Sequence, residues 1–160
     1  MSMLDKLSRL VTGATATATR EATAALAEAY LDCGRRAAQL ARHAEMSPQG
    51  YSTEALKELA AAEEEQCTRL RQALEAAGAP VPSPALPEPV LRGAPHHWAR
   101  LVQDLESHQF AVQRFRQLVM RFAEKLPQTA GLFETLCREE IAHGEDLRAL
   151  IARADPQALD

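Results

Sequence analysis

The sequence predicts an all-α protein, an antiparallel four-helix bundle made of two helical hairpins. Three observations lead there. The helix formers Ala, Leu, Glu, Arg and Gln dominate the 160 residues, and aromatic residues make up only 4%. No five-residue stretch alternates apolar and polar residues as a half-buried strand does. Apolar residues instead recur at spacings of three and four, in long runs broken by proline or glycine.

The run MLDKLSRLV carries Met3, Leu7, Leu10 and Val11 on one side and predicts a short N-terminal helix ending near Gly13. The threonine-rich stretch after it is a poor helix former and reads as a loop or a frayed first turn. The first long helix is expected over 17–45, stopped near Ser47-Pro48-Gln49-Gly50. Ser52 or Thr53 is the expected cap of the second, which ends at Gly78. Segment 79–95 holds six of the nine prolines and reads as an extended linker over 79–94. Pro95 is a suitable first-turn residue for the third helix, expected to reach about Leu126. Pro127 marks a tight joint, and the fourth helix continues to about Ala154.

The joints near residues 48 and 127 are short, so each joins the two helices of one hairpin. The proline-rich linker of 17 residues covers about 50 Å at roughly 3.1 Å per residue, whereas the second helix is only about 40 Å long. The linker can therefore traverse the bundle from end to end, making the second and third helices parallel. The whole chain, 1–160, is expected to form one domain around one core.

Composition narrows the functional classes. A net charge of −4 and the lack of a basic stripe argue against nucleic acid as a partner. No segment is long and apolar enough to span a bilayer, and the N-terminus lacks an apolar signal core, so a cytoplasmic location without membrane contact is expected. Cys33, Cys67 and Cys137 are odd in number and lack C-x-x-C spacing. They read as small packing residues in a reducing compartment rather than as a disulfide framework or a zinc site.

The chemistry lies in an internal repeat. The segments L59-AAA-E63-EE-Q66-CTR-L70 and L136-CRE-E140-IA-H143-GED-L147 align over a shift of 77 residues, as do Leu56 with Phe133 and Leu74 with Ile151. Glu63 and Glu140 each fall in the middle of an apolar face, and His143 lies on the same side as Glu140. An ionised carboxylate in such a place costs several kcal/mol unless a metal ion, a paired cation, a hydrogen-bond donor or protonation compensates it. A carboxylate and an imidazole together suit iron, manganese or zinc. The matched places in the repeat predict that Glu63 and Glu140 face each other across the core.

The run LFETLCREEIAHGEDL, together with Glu106 lying 34 residues before Glu140, resembles the rubrerythrin-like group of the ferritin-like superfamily. The resemblance covers 17–154 in architecture and 98–151 in motif. It implies a core centre of two metals, with Glu63 and Glu140 bridging and His143 and Glu106 as terminal ligands. Gln66 takes the place of the second histidine, and Glu28 is the candidate for the remaining ligand. Gln66 is a poorer ligand than imidazole. Glu28 lies opposite the apolar row Leu26, Tyr30, Cys33, Ala37 and Leu40, so either the face with Ala24 and Leu31 is buried or Glu28 is a surface residue.

Two functions follow. One is an iron protein of ferroxidase or peroxidase type acting on dioxygen or peroxide, with manganese or zinc as other ions and the reductant supplied by another protein. The other is a non-enzymatic bundle that has lost a complete metal site and associates with its own copies. A homodimer is the expected assembly, through apolar positions such as Leu86, Val90, Leu91, Phe110 or Leu118. His43 and His108 lie among polar neighbours and are expected to be solvated; His96 and His97 read as a surface helix start.

Overall fold

The computed structural model describes residues 3–83 and 96–154, with side chains from residue 15 onward. Four helices follow in order: α1 (Met3–Glu45), α2 (Gly50–Ala76), α3 (His97–Phe122) and α4 (Pro127–Arg153). No strand occurs among the described residues, and no helix among them is long and apolar enough to cross a membrane. α1 packs along α2 and α3 along α4, giving the two hairpins.

Their relative direction can be read from the ion pairs. Along α1, Glu21, Asp32 and His43 meet Arg121, Arg114 and Asp104 of α3 in descending order, so α1 and α3 are antiparallel. α2 is antiparallel to α1 across a four-residue turn, and α2 therefore runs parallel to α3. The connection after Ala76 must join opposite ends of the bundle; the path of 84–95, with Leu86, Val90, Leu91 and Pro95, lies outside the described residues.

Three boundaries differ from expectation. No separate N-terminal helix exists, because α1 runs unbroken through Gly13 and the threonines. A single glycine costs a helix interior only about 1 kcal/mol. The hydroxyls of Thr19 and Thr23 donate to the carbonyls of Thr15 and Arg20, each at 2.9 Å, so they are satisfied inside the helix. α2 begins at Gly50, with Gln49 at its cap; Ser52 is buried in the first turn, and Thr53 donates back to the Gln49 carbonyl at 3.1 Å. α3 ends at Phe122, leaving a four-residue turn before Pro127.

The stop of α2 is built as the glycine implied. Gly78 adopts φ 66°, the left-handed conformation in which a side chain would be strained. The Gly78 N–H bonds to the Glu75 carbonyl and the Ala79 N–H to the Leu74 carbonyl, each at 3.0 Å.

The core is divided lengthwise. At one end Leu26, Leu70, Leu74, Phe115, Phe122, Phe133 and Leu136 form one cluster. Phe133 stacks there between Phe115 and Phe122, at 5.8 and 6.3 Å between ring centres. At the other end Leu40, Leu56, Leu59, Leu101, Leu147 and Leu150 form a second. Burying each such side chain contributes about 1.5–3 kcal/mol. Between the two clusters the inward positions are polar.

Candidate metal centre

The polar layer is assembled from all four helices. α2 supplies Glu63 and Gln66, α4 supplies Glu140 and His143, α3 supplies His108, and α1 supplies Arg36 and Cys33. Glu63, Gln66 and Glu140 are completely buried, and the His143 side chain is 12% exposed. Glu63, His108, Glu140 and His143 each present one donor atom, and the four atoms lie within 4.8 Å of one another.

Arg36 compensates the charge on one side of this group. Its Nε donates to Glu63 Oε2 at 3.0 Å and its Nη2 to Glu140 Oε1 at 3.3 Å. On the other side, His108 Nδ1 lies 2.5 Å from Glu140 Oε2, and the two histidine rings meet edge to face at 5.6 Å. His143 Nδ1 stands 3.4 Å from Glu63 Oε1, close enough for ionic attraction but not aligned as a hydrogen bond. Glu63 Oε1, His143 Nδ1, His108 Nε2 and both amide atoms of Gln66 consequently have no hydrogen-bond partner, although all are buried.

The electrostatics follow from this arrangement. Burial opposes ionisation of Glu63 most strongly. The nearby His143, Arg36 and His108 outweigh it and hold the carboxyl down to about 2. Burial likewise disfavours protonated His143, yet Glu63, Glu140 and Glu139 raise its pKa above the ordinary value. Arg36 is held charged by Glu140 and Glu63 despite its burial.

A second polar group continues the layer along the α1–α3 seam. Asp104 accepts from Gln39 at 2.6 Å and from His43 Nδ1 at 2.8 Å, and both Asp104 and His43 are 1% exposed. The expectation that His43 and His108 are solvated is thus corrected. Asp104 and His108 occupy the row Leu101, Ala111, Phe115, Leu118 and Phe122, spaced by three and four; Arg36 and His43 continue the row Leu26, Ala29, Cys33 and Leu40. That spacing was the available signal for all four. His97 also departs from a simple surface helix start, since both its ring nitrogens are buried without partners, whereas His96 is exposed.

The repeat-derived residues are brought together: Glu63, Glu140 and His143 share one site. Glu106 and Glu28 are not part of it. Glu106 is exposed beside a cleft of about 400 Å³ between α1 and α3. Glu28 is exposed and pairs with Arg114, because the buried side of α1 is the one carrying Leu26, Cys33, Ala37 and Leu40. His108, two residues beyond Glu106, is the inward-facing residue of α3. Leu118, expected at an exposed apolar surface, is buried at 8% exposure, whereas Phe110 is 65% exposed. No family model matches the chain, and no curated protein matches it.

Proposed function

We propose that this chain is a ferritin-like metal-binding bundle whose polar layer holds a single divalent transition-metal ion. The observation that carries this reading is the convergence of four donor atoms from Glu63, His108, Glu140 and His143, with Glu63 Oε1 and His143 Nδ1 facing each other at 3.4 Å without a hydrogen-bond partner. Buried polar atoms without partners are uncommon, and an ion between them answers both. Bonds of about 2.1 Å require these side chains to draw in by up to about an ångström. Two carboxylates and two imidazoles suit iron, manganese and zinc.

Arg36 favours one ion over two. It occupies the Glu63 and Glu140 oxygens turned away from the histidines, where a second ion shared by the two carboxylates would bind. The fixed guanidinium does for charge balance what that second ion does in a two-metal centre. A bound iron or manganese ion would supply one-electron chemistry toward dioxygen or peroxide. The protein's contribution is to fix the carboxylates and imidazoles and to exclude bulk water.

The second reading is a metal-free bundle. Arg36 and one protonated histidine leave the layer electrically neutral against Glu63 and Glu140, so no ion is needed for charge balance. Metal analysis of protein purified without chelators separates the two. The metal reading expects about one equivalent per chain and a melting temperature raised by added Fe²⁺, Mn²⁺ or Zn²⁺. Protein that carries no ion, takes none on reconstitution and melts unchanged supports the ion-pair bundle instead.

A further inference from the structure

Cys33 and Cys67 are placed as a pair, and the polar layer does not require both. The Cys33 sulfur is fully buried, 3.0 Å from the Glu63 carbonyl oxygen and 3.4 Å from Glu63 Oε2. That carbonyl is the helical acceptor for the N–H of Cys67, one turn further along α2. Cys67 also packs against the buried cluster that contains Cys33, so the two thiols are neighbours across the α1–α2 hairpin. Ala29 and Ala37, one turn to either side of Cys33, are buried, as is Ala60 on α2. Small buried residues permit the close backbone approach that a disulfide between helices requires. The sulfurs differ in access: Cys67 is half-buried at the surface of the hairpin and Cys33 lies behind it.

We propose that Cys33 and Cys67 form a reversible dithiol–disulfide couple oxidised by hydroperoxides, with Cys67 as the attacking thiol and Cys33 as the resolving one. In the first step the Cys67 sulfur attacks the terminal peroxide oxygen. An S–O bond forms, the O–O bond breaks, and the departing alkoxide takes the proton released by Cys67 and leaves as alcohol. In the second step the Cys33 sulfur attacks the sulfenic sulfur. The S–S bond forms, the S–O bond breaks, and hydroxide leaves as water with the Cys33 proton. The peroxide gains two electrons and the two thiols lose two. An external dithiol restores both thiols by exchange.

Closing the bond also removes the Cys33 S–H from Glu63 Oε2, so the oxidation state of the hairpin reaches the polar layer. The couple rests on the placement of the sulfurs and not on a bound ion. Cys137 is the internal control. It is buried on α4, and its sulfur donates to the Val112 carbonyl of α3 at 3.7 Å.

The test treats the intact protein with hydrogen peroxide in the presence of a chelator, which keeps it independent of metal. Tryptic peptides are then mapped without reduction; Cys33, Cys67 and Cys137 fall in three different peptides. The expected result is a Cys33–Cys67 cross-link, with free thiols falling from three to one and Cys137 remaining reduced. Cys33→Ala, which suits the small-residue seam, should stop the reaction at a Cys67 sulfenic acid that dimedone traps. Cys67→Ala should slow the oxidation of Cys33 by at least about tenfold, since exposure governs attack. Equal slow oxidation of all three thiols in the wild type, or a cross-link that forms only in denaturant, would overturn the proposal.

Discussion

Arg36 on α1 donates to Glu140 on α4 across 3.3 Å, joining residues 104 positions apart. The same guanidinium reaches Glu63 on α2. One cation thereby ties three helices and both hairpins at the level where the two apolar clusters give way to polar residues. Its removal leaves two buried carboxylates without a fixed counter-charge.

Arg36→Met should therefore lower unfolding stability by about 3–5 kcal/mol, the usual cost of removing one partner of a buried ion pair. The loss arises from the orphaned carboxylates, so Arg36→Met combined with Glu63→Gln and Glu140→Gln should recover part of it. Urea unfolding of the single and triple variants measures both. If the triple variant is weaker than the single one, Arg36 acts mainly through the packing of its aliphatic stem.

The pH dependence has two limbs. Glu63 is held at about 2 against an ordinary 4.5, so its contribution is present above about pH 4.5 and is lost as pH falls toward 2. His143 is shifted the other way. Its contribution is complete below its ordinary value of 6.5 and disappears as pH rises through the raised folded value. Metal-free protein should thus weaken both in acid and above neutrality. Glu63→Gln should flatten the acid limb and His143→Ala the alkaline one, read from urea midpoints across about pH 3 to 9. An alkaline limb that survives His143→Ala would show that another group sets it.

Burial, not the number of ion pairs, should decide which charges matter. Arg69 grips Glu139 with two hydrogen bonds, at 2.8 and 2.5 Å, yet each side chain is about one-third exposed. Arg69→Ala should cost no more than about 1 kcal/mol, and less in high salt. Asp104→Ala leaves His43 and Gln39 unpartnered in the interior and should cost about 3 kcal/mol or more with little salt dependence. Melts of the two variants in low and high salt compare them directly.

The hairpins and the inward position of Glu63, Glu140 and His143 were legible because period and punctuation act locally. The apolar faces of α2 and α4 are strong enough that a carboxylate within them stands out. The partners were harder to read. α1 and α3 carry their own polar residues at core spacing, Arg36 and His43 on one, Asp104 and His108 on the other. Core spacing marks such a residue as inward, but does not say which neighbour it meets across the bundle. Glu106 satisfied a spacing along the chain, but His108, about 200° further round the helix, is the residue that turns inward. The absence of a break at Gly13 was hidden for a related reason: the threonine hydroxyls find acceptors only once the helix has formed.

His143 offers a direct measure of ion binding. Without an ion its ring is drawn toward the protonated form by Glu63 and Glu140. A ring nitrogen must be unprotonated to bind a metal, so His143 has to give up its proton for the site to fill. Binding of Zn²⁺ or Mn²⁺ near pH 7 should therefore release protons, and apparent affinity should fall as pH is lowered. Titration calorimetry in buffers of different ionisation enthalpy measures that release. His143→Ala should bind more weakly and release fewer protons, while Glu106→Gln and Glu28→Gln, which alter only exposed carboxylates outside the cluster, should behave as the wild type. Unchanged proton release in His143→Ala, or metal binding lost on changing Glu106, would place the ion elsewhere than in the polar layer.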